Sequence, residues 1–168
     1  MNRLLLILLL LCAGFAGCKN TNDVPAQIRA QLAVDDKIIT AYLASNNIKA
    51  TGVDSAGVAT GIYYIVDTLG TGNDLITSST QIVVGYKGIK LSTGEQFVST
   101  DQFHPSYVLG ATIRGWQLGI PASKVRKGGT IRLFLPSHYA YGPFAQPDLG
   151  LPANSNLIFN ITVYNIIN

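Results

Sequence analysis

Residues 112–119 read Thr-Ile-Arg-Gly-Trp-Gln-Leu-Gly and contain Trp116, the only tryptophan of the chain. An indole ring combines a large flat apolar surface with one polar N–H group. Gly115, directly before it, has no side chain and so allows another group to approach closely. The segment is compatible with a short helix. Two interpretations follow from this stretch alone: Trp116 is the floor of a shallow apolar pocket, or it is a core residue that packs the helix onto a sheet.

Much of the sequence around this segment alternates with a period of two, which predicts strands with one buried face. The predicted strands are residues 61–67, 80–90, 95–99, 107–109, 131–135 and 156–167. The residues of the last strand predicted to point inward are Leu157, Phe159, Ile161 and Val163. We therefore expect an α+β fold in which an antiparallel sheet packs on the short helix, since each has one apolar face to cover.

Residues 24–47 form the clearest helical pattern. The residues that recur at helical spacing are Ile28, Leu32, Asp35 or Asp36, Ile39 and Leu43. An amphipathic helix of this kind has three uses: docking on its own domain, docking on a second copy in a homodimer, or partial docking on a membrane. Residues 49–60, which contain several turn-forming residues, are predicted to be a linker.

The first 23 residues are interpreted as a targeting segment and a tether. An apolar run over residues 4–12, too short to span a bilayer as a mature helix, is followed by small residues and Cys18. This order resembles a bacterial lipobox, which implies a signal peptide over residues 1–17, an acylated Cys18 and a polar tether over 18–23. The alternative is an ordinary signal peptide cut near Ala16, with Cys18 incidental. The predicted domains after the tether are residues 24–59, helix and linker, and residues 60–168, the folded domain.

Composition and motifs argue against several classes of function. The formal net charge is only +3, and no basic run interleaves with aromatics, so nucleic acid is not an expected partner. Both cysteines lie within the first 18 residues, which leaves no disulfide framework in the folded part. His104 and His138 lack carboxylates at metal-ligand spacing, and no phosphate-binding loop or nucleophile motif is present. We expect no metal and no cofactor, and the remaining candidate is a pocket of aromatic and aliphatic side chains.

Three sequence blocks together resemble one known family. They are residues 82–88 with the hairpin into Gly94-Glu95-Gln96-Phe97, then Ile113-Arg114-Gly115-Trp116, then residues 136–142, Pro-Ser-His-Tyr-Ala-Tyr-Gly. Their order over residues 60–167 resembles that of the FKBP-type peptidyl-prolyl cis-trans isomerases. The resemblance implies a half-barrel antiparallel sheet wrapped around the helix that carries Trp116. The N-terminal arrangement looks like that of the lipid-anchored bacterial members.

The family resemblance also implies a site and a function. An X-Pro dipeptide would lie in an apolar bowl whose lining residues are Tyr86, Phe97, Ile113, Trp116, Tyr141 and Phe159. Trp116 would be its floor, and the Ile113 N–H and the Tyr141 hydroxyl would donate to substrate carbonyls. Weaker rim candidates are Val98, Val108 and Leu151. The implied function is isomerisation of proline-containing polypeptides during the folding of exported proteins, in a bacterial cell envelope, periplasmic or surface-exposed.

One departure from the family pattern keeps a second hypothesis open. Family members usually have an aspartate directly after the phenylalanine of the hairpin strand, and here that residue is Val98. Its loss removes a polar partner for Tyr86 and the substrate, which lowers the expected activity. The alternatives are a weakly active or non-catalytic chaperone or binding module for proline-containing segments, and a structural lipoprotein whose aromatics are all core.

The anchor hypothesis predicts that Cys18→Ser releases the protein from membranes. Each buried acyl CH₂ contributes about 0.8 kcal/mol to membrane binding, so the loss of several chains abolishes stable anchoring. The measurement is fractionation of cells into membrane and soluble fractions, followed by detection of the protein in each. A variant that stays with the membranes contradicts the lipoprotein hypothesis.

Overall fold

The computed structural model of the protein describes residues 25–100 and 102–168. The predicted signal peptide, the acylated Cys18 and the tether lie outside the described residues. In the part of the chain that is described, no helix has both the length and the apolar character needed to cross a membrane.

The fold is an antiparallel sheet with a helix on each face, which confirms the predicted α+β class. The helices are α1 (Ala26–Ser45) and α2 (Arg114–Ser123). The strands are β1 (Thr51–Ser55), β2 (Val58–Thr68), β3 (Gln81–Lys90), β4 (Gln96–Ser99), β5 (Ser106–Val108), β6 (Thr130–Leu135) and β7 (Leu157–Ile167). Their order across the sheet is β1-β2-β6-β7-β3-β4, and β5 also pairs with β3.

Helix α2 lies unusually close to the sheet because two of its residues have no side chain. A Cβ atom on Gly115 would fall 2.7 Å from Cδ1 of Leu135, and one on Gly119 would fall 2.9 Å from Cδ2 of Leu133. Both leucines belong to β6 and are fully buried. Trp116 and the buried residues of α2 join the main core, to which the inward faces of β2, β3, β6 and β7 also contribute.

Helix α1 packs on the opposite face of the sheet, where a second apolar cluster forms. The buried residues of that cluster are Ile39, Leu43, Leu91, Phe134 and Ile158. The helix therefore docks on its own domain, the first of the three uses considered for it. Its contact also explains why Phe134 and Ile158, on the side of the sheet away from the main core, are nearly inaccessible to solvent.

The prediction of a linker over residues 49–60 was wrong, because β1 and the start of β2 lie within it. Only Ala56 and Gly57 form a turn, and both have positive φ angles, 51° and 76°. Val53 is 4 % exposed and packs in the main core, and its carbonyl accepts a 2.6 Å hydrogen bond from the hydroxyl of Thr60. Strand pairing and the burial of one valine outweigh the low strand propensity of the neighbouring glycine and aspartate.

We predict that Gly115→Ala lowers the free energy of unfolding by about 1–3 kcal/mol, the usual cost of overpacking a filled core. The added methyl group meets Leu135 and also the backbone oxygen of Tyr139, 2.9 Å away, which cannot rotate aside. The matched control is Gly52→Ala in β1, where the nearest atom is a ring carbon of Tyr63 at 3.8 Å. Chemical denaturation measures both; equal stability of the two variants contradicts the close-approach argument.

Candidate active site

An open cavity of about 230 Å³ lies over the N-terminal part of α2. Its lining comes from β3, β5, the turn before α2, α2 itself, the loop after β6, and β7. The lining residues are Tyr86, Tyr107, Ala111, Thr112, Ile113, Trp116, Tyr141 and Phe159. We call this cavity the bowl. It brings together five of the six predicted lining residues, although they are scattered over 74 positions of sequence, from Tyr86 to Phe159.

Trp116 forms the floor of the bowl and is held by aromatic rings from the sheet. Its indole meets Tyr86 at a centroid distance of 5.0 Å and Phe159 at 5.4 Å, with interplanar angles of 88° and 89°. Such edge-to-face pairs contribute about 0.5–1.5 kcal/mol each beyond the burial of their area. Trp116 is only 4 % exposed and belongs to the main core, and its ring also lines the cavity.

Four of the predicted site residues are not part of the cavity lining. Phe97 packs edge-on against Phe159, with centroids 5.9 Å apart, and so supports a lining ring from outside. Val98 pairs with Gly88 across β3 and β4. Val108 pairs with Gln81 and is 47 % exposed, whereas Leu151 is 2 % exposed and belongs to the main core.

Tyr107 lines the bowl, and it was not among the predicted site residues. It lies in β5 opposite Ile82, with its ring centroid 6.4 Å from that of Trp116 and its hydroxyl 3.4 Å from the Tyr86 hydroxyl. Tyr86 therefore has a polar partner, although Val98 is not one. The usable signal in the sequence was an aromatic residue two positions before Leu109-Gly110, next to the segment 104–106.

Three hydrogen-bond donors of the bowl have no partner among the described residues. Neither the Ile113 N–H nor the Tyr141 hydroxyl donates a hydrogen bond to any residue in 25–100 or 102–168. Ile113 precedes the first turn of α2, where backbone N–H groups have no acceptor within the helix. The indole N–H of Trp116 is buried and also has no partner among the described residues. The Ile113 N–H and the Tyr141 hydroxyl, at the wall of the bowl, are thus available to a ligand that carries carbonyl groups.

The surroundings of Tyr86 and Tyr141 raise the pKa of both hydroxyls. Burial is the main reason that the pKa of Tyr86 is raised well above its ordinary value, and the hydrogen bond with Tyr107 adds to it. Burial also raises the pKa of Tyr141, with a smaller contribution from Tyr107. None of the described residues that line the bowl carries a carboxylate, amine or imidazole. The lining is suited to hold an apolar ring on Trp116 and to donate hydrogen bonds to carbonyl oxygens beside it.

Comparison with known proteins places these features in one family. Residues 72–164 match the family model of the FKBP-type peptidyl-prolyl cis-trans isomerases. The FKBP-type isomerase FkpA of Escherichia coli is 34 % identical over 119 residues, which are 70 % of this chain and 42 % of the relative. FkpA of Buchnera aphidicola subsp. Schizaphis graminum is 36 % identical over 111 residues, 66 % of this chain and 42 % of the relative. The chain thus spans less than half the length of these relatives.

Solved structures agree with this assignment at the level of the fold. A peptidyl-prolyl cis-trans isomerase from Pseudomonas syringae pv. tomato superposes with a TM-score of 0.66 at 23 % identity, over 88 % of this chain and 99 % of that one. FkpA from Escherichia coli superposes with a TM-score of 0.63 at 28 % identity, over 84 % of this chain and 63 % of that one.

We predict that the affinity of the bowl for a proline-containing peptide, the ligand class implied by the resemblance, is constant from about pH 6 to about pH 10. Tyr86 and Tyr141 have pKa values above the ordinary 10.0. Their neutral forms therefore persist over this range, and ligand binding that depends on them weakens only as pH rises through the raised values. Quenching of Trp116 fluorescence measures the affinity. A transition near pH 6.5 contradicts the assignment, since it reports an ionisable group in the bowl.

Proposed function

Because the chain belongs to the FKBP-type peptidyl-prolyl cis-trans isomerase family, we propose that it isomerises X-Pro bonds in the bowl above Trp116. The observation that carries this proposal is the convergence of Tyr86 and Phe159 on Trp116 at centroid distances of 5.0 and 5.4 Å, beneath an open cavity of about 230 Å³. The floor is flat, apolar and held in place. It suits the five-membered ring of proline.

The proposed chemistry needs an environment and not a reactive group. Resonance holds the amide planar, and the barrier to rotation about the C–N bond is about 18–20 kcal/mol. When the bond is twisted, resonance is lost and the amide is less polar than in either planar form. An apolar bowl that excludes water therefore binds the twisted state better than the planar ground states, and this difference lowers the barrier. No bond forms or breaks.

Two polar groups give the substrate one orientation. The Ile113 N–H and the Tyr141 hydroxyl donate to carbonyl oxygens of the peptide while the proline ring lies on the indole. The Tyr141 hydroxyl is protonated at neutral pH as in any tyrosine, and burial, which raises its pKa, extends this to higher pH. A fixed ring and a fixed carbonyl leave rotation about the X-Pro bond as the main remaining freedom of the bound peptide.

Val98 is expected to reduce the rate of the proposed reaction without abolishing it. The family aspartate is absent, but the hydroxyl of Tyr107 lies 3.4 Å from that of Tyr86 and provides a neutral polar contact in its place. A neutral partner polarises the Tyr86 hydroxyl less than a carboxylate does, because charge-assisted hydrogen bonds are about twice as strong. The binding-module hypothesis is the case in which the chain binds proline-containing segments but does not accelerate isomerisation.

The cellular role follows from the anchor hypothesis and the family. A lipid at Cys18 would hold the domain at a membrane of a bacterial cell envelope, where it assists the folding of exported proline-containing polypeptides. The matched relatives named FkpA come from bacteria. A homodimer through residues 24–47 would have to use the part of α1 that its own domain leaves uncovered, where Val34 is 52 % and Ile38 is 43 % exposed.

The proposed function predicts catalysed exchange of a proline peptide by the purified full chain, and a specific loss in Tyr141→Phe. Removal of the hydroxyl lowers kcat/KM by about 5- to 20-fold, equivalent to one lost hydrogen bond to substrate. The matched control is Tyr139→Phe, which makes the same chemical change two residues away, outside the bowl lining. A protease-coupled or NMR assay of cis–trans exchange gives both rates.

The outcomes of this test separate enzyme from binding module. Exchange at the uncatalysed rate, with peptide still quenching Trp116 fluorescence, overturns the enzyme hypothesis and favours the binding module. If the chain neither catalyses exchange nor binds the peptide, the result favours the structural lipoprotein. If the chain is active, Val98→Asp is expected to raise turnover; an unchanged rate would mean that the valine does not limit it.

A further inference from the structure

We propose that Asp35 of α1 is a positioning residue for the bowl: through Ser137 it fixes the loop that presents Tyr141. The inference rests on the proposed function for its catalytic readout. It assigns an active-site role to a helix that lies on the other face of the sheet and outside the matched family segment 72–164.

The contact between Asp35 and Ser137 is a buried polar contact between segments 102 residues apart. Asp35 is 0 % exposed. Its Oδ2 atom accepts hydrogen bonds from the Ser137 N–H at 2.9 Å and from the Ser137 hydroxyl at 2.6 Å. Its Oδ1 atom accepts one from the Gln31 side chain at 2.8 Å. A carboxylate taken out of water is costly unless such partners surround it, so the three donors account for its burial.

Ser137, which Asp35 holds in place, is hydrogen-bonded to the residues on both sides of Tyr141. It begins the 3₁₀ turn Ser137–Tyr139, and its carbonyl oxygen accepts hydrogen bonds from the N–H of Ala140 at 3.0 Å and of Gly142 at 2.8 Å. These are the two residues that flank Tyr141. The amide and hydroxyl of one serine are thus held by α1, while its carbonyl holds the backbone that orients the catalytic hydroxyl.

A second acceptor for Ser137 exists but is weaker. The Ser137 N–H also points to Oδ1 of Asn156 at 3.2 Å, whereas among the described residues the hydroxyl is hydrogen-bonded to Asp35 alone. On the far side, the Tyr139 carbonyl lies against Gly115 of α2. The loop is therefore held between α1 and α2, and the contact with α1 can be removed without changing a residue that lines the bowl.

The neighbouring residue Asp36 provides a control within the same helix. It accepts a 2.7 Å hydrogen bond from the hydroxyl of Tyr63 in β2. Burial, and to a lesser extent this hydrogen bond, raises the pKa of Tyr63 to about 12. Asp36 thus ties α1 to the sheet, as Asp35 ties it to the loop. If α1 has only a structural role, Asp35→Ala and Asp36→Ala should change kcat equally. If Asp35 positions the loop, Asp35→Ala should lower kcat more.

The experiment compares Asp35→Ala, Asp35→Asn and Asp36→Ala in the full chain, each also combined with Tyr141→Phe, at a temperature where circular dichroism shows all variants folded. We expect Asp35→Ala to lower kcat about 5- to 10-fold with KM changed less than about 2-fold. The loss should shrink below about 2-fold in the Tyr141→Phe background, where no hydroxyl remains to be positioned. Asp36→Ala should change kcat by less than about 2-fold.

Rescue gives a further readout. An asparagine carbonyl at position 35 can accept both Ser137 donors if the Gln31 amide turns over, so Asp35→Asn should recover most of the lost rate. If Asp35→Ala does not fold, Ser137→Ala removes only the hydroxyl donor and should show a smaller loss with the same dependence on Tyr141. Equal losses for Asp35→Ala and Asp36→Ala, or a loss undiminished in Tyr141→Phe, overturn the positioning role.

The failure of this inference can be told apart from failure of the proposed function. A wild-type chain without turnover contradicts the isomerase. In that case the affinity for a proline peptide, read from Trp116 fluorescence, replaces kcat in the same set of variants. Weaker binding in Asp35→Ala that vanishes in the Tyr141→Phe background supports positioning, and equal weakening in both backgrounds overturns it.

Discussion

The close approach of α2 to β6 is the contact on which the bowl depends. Gly115 and Gly119 leave no side chain between the helix and the buried Leu133 and Leu135. A methyl group at either position would push the helix away from the sheet or deform the leucines. Because the helix lies this close, the indole of Trp116 reaches the rings that β3 and β7 present, and these rings hold it edge to face.

The chemistry attributed to the bowl follows from what surrounds the indole. Aromatic side chains make up most of the described lining, and burial raises the pKa of Tyr86 and Tyr141. In the proposed mechanism such a cavity favours a twisted amide over a planar one, because the twisted form is less polar. The polarity of the site is confined to donors at its wall, above all the Ile113 N–H and the Tyr141 hydroxyl.

The residue patterns predicted the α+β fold, whereas the residues of the bowl were predicted from the family resemblance, and five of the six lie in one cavity. Period-two alternation predicted β2, β3, β6 and β7. The stretch around Trp116 alone left two interpretations open, a pocket floor and a core residue, and the family resemblance favoured the floor. Sequence reasoning failed where tertiary contacts decide. Strand β1 depends on Val53 finding the main core, and local propensity does not report this. Tyr107 reaches the bowl only because β5 pairs with β3.

The hydrogen bonds between Asp35 and Ser137 are another feature that tertiary contacts decide and that the sequence pattern does not report. The helical pattern placed an acidic residue at Asp35 or Asp36 among apolar positions, but no local rule links it to a serine 102 residues away. Only the docking of α1 on the far face of the sheet creates the contact. The helix and the loop therefore have to be considered together when activity is interpreted.

The central claim is that an X-Pro segment lies on the Trp116 ring while its amide rotates. Two-dimensional NMR exchange spectroscopy on a proline peptide, with the full chain at substoichiometric concentration, tests both halves at once. We expect cis–trans exchange cross-peaks that report a rate above that of the uncatalysed interconversion, which takes tens of seconds or longer. We also expect nuclear Overhauser effects between the proline ring and the indole protons. Overhauser effects without accelerated exchange, or exchange without contact to the indole, would contradict it.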